Sequence, residues 1–308
     1  MISIGRFRQL QLSHKSGFLI KTGTQFNRFV VHHNHIGTIT SAQPHRHNHI
    51  SMTPSSLPAT FLSTDSTLSG KQILVTGAAS EIGYAVSFAC ATAGAVVLIM
   101  DDRERPLIPL YDKICDHGCK EPMMIAFNLR QSSESNLQQL AGTIAEEFDH
   151  LDGLVHGAMW GAPLTPIANS DTTTWLSVFA DQFMRPFTLT RSLLPCLDNA
   201  EATSIIFTTM DIGRKGRAYW GPVGAAFAAT ENLVQIWSDE SEQGNLRFNT
   251  VDPGKVKTGL RQKFYPAESE HGLRPADDQL LMNHYLYLLS DQAAGISGKQ
   301  FTVPDLPV

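Results

Sequence analysis

From Gln72 to Asp102 the chain reads QILVTGAASEIGYAVSFACATAGAVVLIMDD. An apolar run ends at Thr76, a turn with glycines at 77 and 83 follows, a helical period continues to Thr92, and a second apolar run closes on two aspartates. Strand, glycine turn, helix and strand in so short a span predict a parallel βαβ unit, because parallel strands need a crossover connection. Such a turn brings backbone N–H groups and a helix N-terminus to a pyrophosphate. Asp101, ending the second strand, is placed to bind the hydroxyls of an adenosine ribose and to repel a 2′-phosphate.

The same alternation continues downstream. Apolar runs predict strands at Gln72–Thr76, Ala95–Met100, Met123–Phe127, Asp152–His156, Ser204–Thr209, Leu246–Val251 and Gln300–Val303. Helical periods fill the gaps at Ile82–Thr92, Arg105–His117, Ser133–Phe148, Thr173–Leu197, Val223–Ser241 and Ala276–Ser290. The expected fold is α/β: a Rossmann-type, doubly wound parallel sheet of seven strands in one domain over residues 68–308. The polar stretch Lys255–Arg274, with Pro266 and Gly272, reads as an irregular lid or binding loop.

Residues 1–67 stand apart as an extension expected to be disordered. Residues 1–51 carry six Lys or Arg, no Asp or Glu, and seven of the twelve histidines. Three readings fit this composition: a mitochondrial presequence, a His-rich metal tract, or a chain that properly starts at Met52, which is preferred narrowly. The rest holds 18 basic against 29 acidic residues, a net charge of −11. That acidic body argues against nucleic acid as a partner. No apolar run reaches the length of a membrane span. Four cysteines, three of them in predicted helices, suit a reducing compartment, so a cytoplasmic location is expected, with the mitochondrial matrix as the alternative if the presequence is genuine. The Cys115–Cys119 cluster lacks a second ligand pair, and no metal site is expected.

The turn Thr76-Gly77-Ala78-Ala79-Ser80-Glu81-Ile82-Gly83 resembles the TGxxxGxG of the short-chain dehydrogenase/reductase family. The likeness runs from Leu68 to Val303. It includes Leu151–His156, Phe207-Thr208-Thr209, Gly213–Ala218 with Trp220-Gly221, and Asp252-Pro253-Gly254-Lys255-Val256-Lys257-Thr258 against PGxVxT. GRxGRAxWG with a DPG turn is most similar to the bacterial YciK-type branch. The resemblance implies NAD(H) or NADP(H), held by Gly77, Ser80, Ile82, Gly83, Asp101, Asn128, Leu129, Pro253, Gly254, Val256 and Thr258, with NAD favoured by Asp101. It also implies a small-molecule substrate or ligand, and pairing through the two long helices into a homo-oligomer or a hetero-oligomer with a related subunit.

Departures from the family pattern matter more. Glu81 replaces the middle glycine; a carboxylate roughly 4 Å from phosphate, at an effective dielectric near 20, costs on the order of 4 kcal/mol. Asn128 stands in place of Asp, and His156-Gly157-Ala158-Met159 in place of NNAG. The family's Ser, Tyr, Lys and Asn positions hold Met210, Val223, Phe227 and Gln182, and Tyr219 has no lysine four places on. Methionine, valine and phenylalanine have no proton to transfer, so the expected protein keeps the scaffold without the standard dehydrogenase chemistry. Val223 and Phe227 share one helical face and with Met210 are expected to crowd the nicotinamide region, weakening cofactor binding together with Glu81. The alternative is an active NAD(P)-dependent oxidoreductase working on a carbonyl or alcohol through an unconventional site. Asp211, Arg214, Lys215, Arg217, Tyr219 and His156 lie near the strand ends and are read as solvated surface.

Overall fold

The computed structural model describes residues 55–241 and 244–306, and, as a separate unit, a two-residue antiparallel ladder of Lys21–Thr22 with Gln25–Phe26. Met52 and most of residues 1–51 lie outside the described residues. Seven parallel strands form one sheet: β1 (Gln72–Thr76), β2 (Val96–Asp101), β3 (Met123–Ala126), β4 (Gly153–His156), β5 (Thr203–Thr208), β6 (Leu246–Asp252) and β7 (Lys299–Thr302). Their spatial order is β3-β2-β1-β4-β5-β6-β7. Chain order reverses between β1 and β4, the place where doubly wound sheets open a ligand crevice. Every residue of β4 and β5 is buried, as expected for strands covered on both faces.

The helices are α1 (Glu81–Thr92), α2 (Ile108–Asp116), α3 (Glu134–Glu147), α4 (Thr172–Phe179), α5 (Arg185–Leu197), α6 (Gly221–Glu240), α7 (Gly259–Phe264) and α8 (Gln279–Leu289). Local chemistry starts several of them. Ser80 caps α1 by accepting from the Gly83 N–H, Ser133 and Asn136 form a capping box on α3, and Asp278 accepts from the N–H groups of Leu280 and Leu281 on α8.

Four features differ from the sequence expectation. The predicted Arg105–His117 helix begins as a 3₁₀ turn, Arg105–Leu107, because Pro106 and Pro109 remove donors from its first turns. The predicted Thr173–Leu197 helix is interrupted by a π turn, Ala180–Met184. Pro186 has no N–H for the Gln182 carbonyl, and the wider turn relieves the clash of its ring with that carbonyl. The Lys255–Arg274 stretch contains α7, which Thr258 caps by accepting from the Arg261 N–H at 3.1 Å. Finally, the packed body starts before Leu68: Phe61 is buried in the core against Tyr287, and Ser55 bridges to Phe301 beside β7.

Candidate functional site

The turn after β1 is built from close backbone approaches. Gly77 has φ +67°, and a Cβ there would lie 2.5 Å from the Ala158 Cα; one on Gly83 would collide with the Gly77 carbonyl. Only glycine fits either place. The Ser80 hydroxyl donates to the Gly77 carbonyl at 2.7 Å and accepts from Gly83, which locks the loop onto α1. Asp101 braces the turn from β2: its carboxylate accepts from the Ala79 N–H at 2.9 Å and from Asp102 at 2.8 Å. Burial pushes its pKa above the usual carboxylate range, against the pull of those two N–H groups.

Two cavities flank this turn. The first, about 360 Å³, is lined by Gly77, Ser80, Asp101, Asn128 and Leu129 among others. Asn128 is held by its own loop, its side-chain oxygen accepting from the Arg130 and Gln131 N–H groups. The second, about 90 Å³, is lined by Ser80, Ile82, Met210, Pro253, Gly254, Val256 and Thr258, together with Phe264 and Tyr265 of the lid. The residues expected to hold a cofactor therefore gather on one side of the sheet but divide between a roomy half and a closed half.

Phe264 closes the second half. Its ring packs at a tilt of 54° against Trp220 with centroids 4.6 Å apart and lies over Gly161, where any side chain would strike it. Glu81 fastens the same lid: its carboxylate accepts from the Gly259 N–H at 2.7 Å, and the side chain lines the small cavity but not the large one. Nothing in the sequence pattern flagged Phe264, since its position depends on how the lid folds back.

Val223 and Phe227 are 3% and 2% exposed and join Ile212, Trp220, Ala162 and Val178 in one apolar cluster, with Met210 against it. Met210 lines the small cavity; Val223 and Phe227 lie behind its wall, so the crowding expected from them comes from Phe264. Gln182 is buried in the π turn and its amide donates to the Trp160 carbonyl. Beside it, Asp181 pairs with Arg130 at 2.8 Å.

The loop charges need correction. Arg214 is not solvated surface: its guanidinium donates to Glu231 at 2.7 Å and to Asp252, and reaches the Thr302 hydroxyl at 3.4 Å. Glu231 also accepts from Thr209 and Gln300. Burial raises the pKa of both carboxyls, and the Arg214 charge opposes it. His156 is likewise interior, stacked on Phe207 at 4.5 Å with Nε2 2.8 Å from the Thr190 hydroxyl. That hydroxyl gives its proton to the Pro186 carbonyl, so Nε2–H is the donor. Burial lowers its pKa to about 3. Asp211 and Arg217 pair at the surface, and Tyr219 is exposed at φ +75°. Tyr285 is buried against Thr208 and lines neither cavity.

A dinucleotide fits this arrangement in part. The large cavity has the size of a small-molecule pocket, and Asp101 offers acceptors to it. The small one falls well below the roughly 300 Å³ at which such pockets begin. No step through a nicotinamide follows from it.

Comparison with known proteins agrees with the fold. The short chain dehydrogenase family pattern matches residues 71–269. The uncharacterized oxidoreductase YciK of Escherichia coli is 34% identical over 235 residues, covering 76% of this chain and 92% of YciK. A crystal structure of YciK superposes with TM-score 0.75 at 32% identity, covering 79% of this chain and 98% of that one. A short chain dehydrogenase structure from Shigella flexneri, complexed with NADP, gives TM-score 0.75 at 32% identity over 78% of this chain and 99% of that one. With its seven-stranded parallel sheet, glycine turn and DPG loop, this chain belongs to the short chain dehydrogenase family.

Proposed function

We propose that this chain is a nucleotide-binding member of its family that does not carry out dehydrogenase chemistry and acts by binding, as a subunit of a homo-oligomer or of a hetero-oligomer with a related chain. One observation carries the reading: Met210, Val223 and Phe227 meet in a single apolar cluster where the family places a hydroxyl, a phenol and an ammonium. Positioned acid–base groups are worth ~10²–10⁴ in rate, and those positions here hold hydrocarbon and thioether. A nicotinamide cofactor, when bound to a protein of this fold, supplies hydride chemistry. Here Asp101 would hold its adenosine ribose, and Asp101 with Asp102 would oppose a 2′-phosphate, favouring NAD over NADP.

The pairing surface is supported by helices α4 to α6. Phe179, Phe183, Phe187 and Trp237 form a ladder of rings with successive centroids 5.1, 6.4 and 5.5 Å apart. Leu176 beside them is 67% exposed and Ile236 on α6 is 46% exposed, apolar surface that supports pairing through this face.

The test is turnover. Purified protein mixed with NADH or NADPH and a panel of ketones and aldehydes is expected to show no carbonyl-dependent loss of reduced cofactor; a kcat of about 1 s⁻¹, within the ordinary enzyme range, refutes the reading. One observation favours a second reading, an unconventional active site. Tyr265 brings a phenol to the small cavity, with the Arg261 guanidinium 5.1 Å from its ring centre. That reading requires carbonyl-dependent turnover that Tyr265→Phe abolishes.

A further inference from the structure

We propose that residues 257–273 form a flap that opens and shuts as one body on a fixed base, and that Glu81 is the latch holding it shut over the small cavity. Such a device governs access to the crevice, whatever chemistry the crevice carries. The base is a backbone bridge between Val256 and Arg274. The Lys257 N–H donates to the Arg274 carbonyl and the Arg274 N–H to the Lys255 carbonyl, both at 2.8 Å. Arg274 itself is buried; its guanidinium donates to the Pro304 carbonyl at 2.7 Å and pairs with Asp278, the N-cap of α8. The two ends of the flap are thereby tied to each other and to the body.

Between those ends the segment braces itself. Arg261 holds Glu268 through two parallel bonds, Nε at 2.6 Å and Nη2 at 2.7 Å, a geometry that fixes both side chains. Lys257 pairs with Glu270 at 2.6 Å, and the Glu268 N–H donates to the Tyr265 carbonyl at 3.0 Å. The outgoing arm with α7 and the return arm are therefore cross-linked, so one arm does not leave the body without the other. Contact with the body is made at two places. Phe264 and Tyr265 face Trp220 with centroids 4.6 and 6.0 Å away, and Phe264 covers Gly161. On the α1 side the tie is the Glu81 carboxylate, which accepts from the Gly259 N–H at 2.7 Å. It stands as a post between the small cavity and a second hollow of about 430 Å³ lined by the flap. A charged acceptor makes this a strong single bond. The TGxxxGxG pattern has glycine at this place, with no side chain to reach Gly259, so the latch belongs to this chain.

Met210 lines the small cavity, so a thiol placed there reports opening of the flap. In the full chain carrying Met210→Cys, alkylation at position 210 by iodoacetamide is followed by mass spectrometry, which separates it from the native cysteines. Adding Glu81→Gly is expected to speed that alkylation about tenfold, and Glu81→Gln, which keeps an uncharged acceptor oxygen, to speed it less. Equal rates with and without Glu81→Gly overturn the latch, as does equal acceleration by the two substitutions. Hydrogen exchange on the Glu81→Gly chain tests the single body. Amides of α7 and of residues 268–273 are expected to quicken by the same factor, while those of Lys257 and Arg274 at the base keep their rates. Quickening confined to Gly259–Arg261 overturns the hinged flap, and so does loss of protection at the base, which marks unfolding of the segment.

Discussion

Phe227 lies beside Val223 and Ile212 with almost no access to water, so a lysine there would carry an ammonium into hydrocarbon. Phe227→Lys alone is expected to lower unfolding free energy by about 3 kcal/mol or more, read as a shifted urea midpoint. A wild-type midpoint would mean that the position opens to a solvated pocket. His156 makes a different demand. The unfolded chain protonates it below pH about 6.5. The folded chain resists protonation down to about 3. Protons therefore favour the unfolded state in that window, and stability falls as pH drops through it, by up to about 5 kcal/mol. His156→Asn is expected to flatten the dependence of stability on pH by about one proton between those limits, checked by denaturant melts across the range; an unchanged slope would place the titration elsewhere. Both residues stood out in the sequence. Their surroundings were only half legible: the spacing from Met210 to Val223 and Phe227 placed the two on one helical face, but His156 looked like surface because its partner Thr190 is 34 residues away.

At the scale of elements, Arg214 joins the loop after β5 to α6, β6 and β7 through Glu231, Asp252 and Thr302. Removing it strands two buried carboxyls, and Arg214→Met is expected to cost about 3–5 kcal/mol in a denaturant titration. A cost under about 1 kcal/mol would show the pair to be solvated. The lid is expected to respond to Glu81. In Glu81→Ala the Gly259 amide loses its acceptor, so hydrogen exchange over Gly259–Phe264 should quicken while α1 stays protected; equal rates would mean that aromatic packing alone holds the lid. Strands and most helices were legible because apolar period and burial coincide in a parallel sheet. The π turn and α7 were not. One depends on a proline disturbing a ladder that periodicity treats as continuous, the other on contacts between a polar segment and Trp220 far upstream.

For the whole molecule, the glycine turn announced the family, and Gly77 and Asp101 line the wider of the two cavities beside it. Which half stays open was invisible in one dimension, since it depends on Phe264 reaching Gly161 across the crevice. The aromatic ladder on α4 to α6 predicts a self-associating chain. Leu176→Glu with Ile236→Glu is expected to halve the mass measured by light scattering without loss of helix signal; an unchanged mass would move the interface to another face. The central claim is that this crevice passes no proton and therefore completes no hydride transfer. Its most direct test is label transfer: incubating the protein with NADH or NADPH carrying deuterium at the reactive carbon and with a carbonyl panel, then weighing the alcohols formed. The account predicts no deuterated alcohol above the protein-free control, whereas label accumulating in proportion to protein at about 0.1 s⁻¹ or faster would contradict it.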